Sequence, residues 1–98
     1  MSAPPERLVV DGASRLGFAP HVTFRHDATR GRWVVLAPER LLLPDDLAVE
    51  ILQLIDGKRS VDAIVDDLAR RFEAPRDVIA DDVARMLQEL VDKAVLAP

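Results

Sequence analysis

Arg32-Trp33-Val34-Val35-Leu36-Ala37-Pro38-Glu39-Arg40-Leu41-Leu42-Leu43-Pro44 decides how this chain is read. Trp33 to Ala37 and Arg40 to Leu43 are β-branched or leucine-rich runs, and each reads as a strand. Pro38 fixes its own φ and has no N–H, so pairing ends where it stands. Pro-Glu is not the Asn-Gly type of a tight two-residue hairpin, which leaves the form of the turn open. Upstream, His21-Val22-Thr23-Phe24-Arg25-His26 alternates, with Val22, Phe24 and His26 on one face, and polar Asp27 to Gly31 turns the chain. Three strands are therefore expected before anything helical.

Helical spacing follows. Leu47, Ile51, Leu54 and Ile55 form one stripe, opened by the cap candidates Asp45-Asp46 and stopped by Gly57. Ser60 suits the N-cap of a second helix, with Asp62 favoured in its first turn by the helix dipole. Val61, Ile64, Val65, Leu68, Ala69 and Phe72 are spaced for one face of it. Pro75 suits the first turn of a third helix, where Val78, Ile79, Val83, Met86, Leu87, Leu90 and Val91 make a wide stripe. Val95-Leu96 closes the sequence as a short strand or wing. This order predicts an α+β, winged-helix-like domain over residues 18–98: a three-stranded antiparallel sheet followed by a three-helix bundle. Residues 1–17, with two adjacent prolines and the short run Leu8-Val9-Val10, read as a flexible N-terminal arm. The alternative use of that run is pairing, for instance with a second copy as a homodimer.

Composition narrows the function. The 98 residues are 49% hydrophobic and 31% charged, which favours one folded domain over disorder. Net charge is −4, and aromatics are few, with one Trp, three Phe and no Tyr. Both count against nucleic acid as the main partner, because phosphates need clustered cations and single-stranded bases need stacking platforms. The third helix is the sharper test. From Arg76 to Lys93 it carries three cations (Arg76, Arg85, Lys93) against five carboxylates (Asp77, Asp81, Asp82, Glu89, Asp92), the wrong sign for a major-groove helix. No apolar run spans a bilayer and no signal-peptide pattern opens the sequence, so no membrane partner and a cytoplasmic location are expected.

Catalysis lacks its parts. With no cysteine, disulfides, thiolate zinc sites and protein-ligated iron–sulfur clusters are excluded. His21 and His26 would face opposite sides of a strand with no third ligand nearby, so no metal is expected. Asp45-Asp46, Asp66-Asp67 and Asp81-Asp82 are adjacent pairs that do not face each other on a helix, and they read as caps and solvated faces. Ser2, Ser14 and Ser60 stand in no nucleophile motif, and the four glycines build no phosphate loop. A non-enzyme without cofactors is expected.

The chain resembles the PqqD family, the small peptide-binding proteins of pyrroloquinoline quinone (PQQ) biosynthesis, from Phe18-Ala-Pro-His-Val to Leu96. The resemblance rests on Gly31-Arg-Trp-Val-Val-Leu-Ala-Pro-Glu-Arg40, Ala48-Val-Glu-Ile-Leu, Asp56-Gly-Lys-Arg-Ser-Val-Asp-Ala-Ile64, and Asp82-Val83 with Leu87 and Leu90. Asp45-Asp46 departs from the usual Asn-Glu type, and Ala94 stands where a glycine often begins the wing. The resemblance implies a peptide chaperone that holds a PqqA-like precursor peptide and presents it to a PqqE-like radical S-adenosylmethionine enzyme, whose clusters this cysteine-free chain could not ligate. Strand addition supplies a mechanism: main-chain bonds to a sheet edge give affinity, and side-chain pockets give specificity. The expected edge is Arg40, Leu41, Leu42 and Leu43. The expected facing wall is Val78, Asp82, Val83, Met86 and Leu90 of the third helix, with Asp82 at the mouth. A winged-helix DNA-binding regulator is the alternative, disfavoured by the acidic third helix.

Overall fold

The computed structural model describes residues 8–98, in the order β1 (Gly17–Phe18), β2 (Thr23–Asp27), β3 (Arg32–Ala37), β4 (Arg40–Leu42), α1 (Asp46–Leu52), α2 (Val61–Phe72), α3 (Arg76–Asp92) and β5 (Leu96–Ala97). Strands β2, β3 and β4 form an antiparallel sheet in that order, with β3 central. The fold is α+β, a three-stranded sheet with three helices, as the sequence predicts. Ala37 pairs directly with Arg40, so Pro38-Glu39 is a two-residue connection after all. Neither residue has a positive φ, which separates this turn from the mirror-image type that Asn-Gly favours.

Several strand boundaries move by one or two residues. β2 begins at Thr23, because Pro20 and His21 occupy a turn closed by the Val22 N–H donating to the Ala19 carbonyl (3.2 Å). His21 is left-handed there (φ 66°), so it is a turn residue and not the strand residue expected. At the other end Asp27 joins β2 and is buried. Its carboxylate accepts from the Thr29 and Arg30 amides (2.9 and 3.2 Å) and from Arg30 Nη1 (2.6 Å), which ties the β2–β3 turn to its own strand. β4 stops at Leu42, one residue short of expectation.

The helices start where their caps dictate. Asp45 accepts from the Ala48 amide (2.8 Å) and Ser60 from the Ala63 amide (3.2 Å), each supplying an acceptor to an otherwise unpaired N–H. Pro75 sits one position ahead of α3 and offers its carbonyl to Ile79 (3.2 Å). α1 ends at Leu52; the Leu54 and Ile55 amides reach only three residues back, and Gly57 (φ 77°) lies beyond them in the loop. The core gathers Val35 from the sheet, Ile51, Leu52 and Ile55, then Ile64, Val65 and Leu68 of α2 and Ile79, Val83, Leu87 and Leu90 of α3. Val34 is also buried, but only Val35 joins this cluster, as strand alternation requires. Phe72 and Val78, read as stripe residues, are exposed instead. They lie where α2 ends and α3 begins.

Of the arm expected over residues 1–17, residues 1–7 lie outside the described residues. The remainder is bonded to the domain. The carbonyls of Gly12 and Ser14 accept from Asp62 and Val61 (both 2.9 Å), the first-turn amides of α2 that Ser60 does not reach, and Leu16 accepts from Gly57 (2.9 Å). Val10 is buried, and its amide donates to Gln88 Oε1 of α3 (2.8 Å) while Gln88 Nε2 returns a bond to the Leu8 carbonyl (2.8 Å). β1 pairs antiparallel with β5, so the two ends of the domain close on each other. The sequence marks Val95-Leu96 as a short strand, but not its partner.

Candidate functional site

Among the described residues β4 lies at the end of the sheet, with a strand neighbour on one side only. Beside it, between the β4–α1 connection and the outward side of α3, runs an open groove of about 530 Å³. Its floor is apolar: Val35 and Leu42 from the sheet, Leu47, Ala48 and Leu52 from α1, Met86 and Leu90 from α3. Leu43 and Pro44 form the shoulder where the strand gives way to the helix. This arrangement follows from sequence spacing. Pro44 has no N–H to continue the ladder, Asp45 caps α1 one residue later, and the first turn of α1 then presents Leu47 and Ala48 towards α3.

Charge is confined to the rim. Asp82, Arg85 and Glu89 of α3 and Lys93 at its C-cap line the groove. Arg85 Nη1 lies 3.6 Å from Asp82 Oδ1, and Lys93 Nζ lies 2.9 Å from Glu89 Oε1. Asp45 adds a carboxylate at the α1 end. The Arg30 guanidinium, helped by the Arg30 and Thr29 amides, holds the Asp27 carboxyl below its ordinary range, and the Arg59 and Lys58 amides do the same for Asp56. The Arg76 guanidinium is pushed up by Asp66 (2.6 Å) and Asp62 (3.2 Å), which join α3 to α2.

The sequence-derived residues divide into three groups. Leu42, Leu43, Asp82, Met86 and Leu90 line the groove together. Arg40 and Leu41 are exposed on the edge strand but outside the groove lining. Val83 and Val78 belong elsewhere: Val83 is 0% exposed within the core, and Val78 is 52% exposed and does not line the groove. Helix geometry explains Val83, since one residue is a rotation of about 100° and Val83 points away from the side that Asp82 and Met86 share. Sequence reasoning missed Pro44, Leu47 and Ala48, and the cations Arg85 and Lys93 with Glu89. A spacing signal existed for the α3 residues, because 82, 85, 86, 89 and 93 follow the i+3/i+4 row of one helix face. A second cleft of about 670 Å³ lies beyond Pro44, between Trp33, His26 and Arg32 of the sheet and Asp46, Val49, Glu50 and Gln53 of α1. Its His26 belongs to β2, the other edge strand of the sheet, and its lining is more polar than that of the first groove.

Comparison with known proteins places this geometry. Residues 32–96, which hold β3, β4, all three helices and the start of β5, match the family described as "Coenzyme PQQ synthesis protein D (PqqD)". The chain belongs to the PqqD family. A PqqA binding protein of Rhodopseudomonas palustris strain BisB5 is 56% identical over 89 residues, covering 91% of this chain and 87% of the relative. One from Bradyrhizobium diazoefficiens is 49% identical, covering 96% and 91%. The solution NMR structure of the PqqD truncation of Methylobacterium extorquens PqqCD, described as a functional and stand-alone recognition element for ribosomally synthesized, post-translationally modified peptides, superposes with a TM-score of 0.77 at 35% identity, covering 91% of this chain and 95% of that one. The crystal structure of PqqD from Xanthomonas campestris superposes at 0.59 with 37% identity, covering 81% and 88%.

Proposed function

We propose that this chain is a non-catalytic peptide chaperone of PQQ biosynthesis, binding a PqqA-like precursor peptide by strand addition to β4. The observation that carries the reading is an edge strand beside an apolar-floored groove in a member of the PqqD family. Relatives at 49–56% identity are named PqqA binding proteins, which gives the peptide its class. An extended peptide at β4 pairs its main chain with the strand edge and sets alternate side chains against Leu47, Met86 and Leu90. Met86 suits such a wall, since its unbranched side chain repacks around different neighbours.

In this reading the bound peptide is presented to a PqqE-like radical S-adenosylmethionine enzyme in the cytoplasm, and that enzyme does the chemistry. The titration that tests it is calorimetric, using a PqqA peptide and then its N-terminal half alone. Micromolar or tighter binding, with the peptide's mass unchanged until the enzyme is added, is the expected result. Heat-silent mixtures with no complex by a second method would refute it, as would modification of the peptide by this chain alone. A homodimer through the N-terminal segment is not required, because residues 8–16 bond within their own chain.

A further inference from the structure

The groove rim on α3 and its C-cap is a ladder of alternating charge: Asp82, Arg85, Glu89, Lys93. Arg85, Glu89 and Lys93 follow the i, i+4 row, so successive rungs are about 6 Å apart along the helix. An extended chain repeats the same face every second residue, about 6.6 Å. The two spacings match closely enough for alternate side chains of a strand to meet successive rungs. The ion pairs within the ladder are exposed and weak. Arg85 is 77% exposed at its side chain, and such pairs exchange partners at little cost. Their separation is shorter than the screening length of about 8–10 Å, so the alternating charges cancel at a distance and act only on a chain already in contact.

We propose that Arg85, Glu89 and Lys93 set the register of the bound peptide, favouring an extended segment whose α3-facing side chains run acidic, basic, acidic at every second position. This deepens the strand-addition reading and rests on it. The charge order is a specificity device, not an attractive field, since the groove lining carries three carboxylates (Asp45, Asp82, Glu89) against two cations.

The test is a glutamate scan. A single Glu is moved through successive positions of a PqqA peptide, and each peptide is titrated against the unaltered chain, Arg85→Glu and Lys93→Glu. Both substitutions lie on exposed side chains, and circular dichroism checks that the variants keep the fold. Each charge reversal should weaken the best-matched peptide about two- to fivefold, the scale of an exposed pair. The scan position most sensitive to Arg85→Glu and the one most sensitive to Lys93→Glu should lie four residues apart, because about 12 Å of helix spans about four extended residues. Maxima about eight residues apart would mean a helical peptide and overturn the proposal. Peptide binding that persists with no position sensitive to either variant would overturn the register device while leaving strand addition intact. No binding of any peptide to the unaltered chain would overturn the strand-addition reading and the device with it.

Discussion

Two extended segments of this domain treat their backbones in opposite ways. Residues 8–16 are irregular, yet their polar groups are consumed by the fold: Gly12, Ser14 and Leu16 give carbonyls to α2 and to Gly57, and Gln88 holds Leu8 and Val10. β4 is a regular strand, yet among the described residues it has a strand partner on one side only, and it leads into a groove. The first segment closes the molecule and the second leaves an edge for pairing. Regular structure by itself therefore says little about where a partner docks; the accounting of backbone donors and acceptors says more.

The largest effect that separates scaffold from groove is expected on α3. Val83→Asp would put an unpaired carboxylate into the core and should cost about 3–5 kcal/mol, enough to unfold much of the population at ordinary temperature. Met86→Asp, three residues along on the groove side, should leave a folded chain that binds a PqqA peptide at least tenfold more weakly, because the charge must be desolvated against the peptide's apolar side chains. Arg70→Ala, on an exposed side chain of α2, should change neither. Thermal melts and titration of the three variants make the check. Equal binding by Met86→Asp and the parent would erase the distinction between the two sides of the helix.

A smaller effect is expected where the chain leaves α3 for β5. The Val95 amide donates to Leu90 and the Ala94 amide to Val91 (2.9 and 3.0 Å), the paired bonds of a left-handed helix terminus. Ala94 has φ 60° there, a region that favours glycine. Ala94→Gly should therefore stabilise the domain by about 0.5–1 kcal/mol in chemical denaturation, the relief of the side-chain clash outweighing the added freedom of the unfolded chain. A loss of stability would show that the alanine methyl contributes packing worth more than its strain.

How much of this was legible in the sequence depended on whether the signal was local. Pro38, Asp45 and Ser60 act within three residues of themselves, and the strands and helix starts they mark are where the sequence places them. The β1–β5 pairing joins two-residue strands from opposite ends of the domain, too short to carry a periodic pattern. Docking of residues 12–16 uses backbone carbonyls, which every sequence has, so no side chain announces it. On the groove the edge strand and Met86 were legible, whereas Val83 was not separable from Met86 on a wide apolar stripe. Leu47 was read only as helix packing and Ala48 only as part of a family motif, because nothing in α1 alone tells that α3 leaves that side open.

The smallest expected effect is acid sensitivity of the turns. Asp27 and Asp56 both titrate below their ordinary value in the folded chain, so the stability they contribute is present above the unfolded pKa and is lost as pH falls through the folded one. Stability should be level near neutrality and decline below about pH 4, where unfolded carboxylates begin to hold protons that the folded ones resist. Asp27→Asn should flatten that decline. Melting curves across pH 3–7 read it, and an unchanged acid limb in the variant would remove the β2–β3 turn from the comparison.

The most direct test of strand addition is residue-by-residue amide exchange by NMR, with and without a PqqA peptide. Along an edge strand, alternate N–H groups face the inner neighbour or open solvent. On binding, one alternating pair, either Leu41 and Leu43 or Arg40 and Leu42, should gain protection, the other pair being protected already in the free chain. The α3 amides are bonded within the helix and should change less. A rise in protection spread evenly over the domain would mean ligand-linked global stabilisation only. Protection centred on α2, with Arg40 to Leu43 unchanged, would contradict docking at this edge.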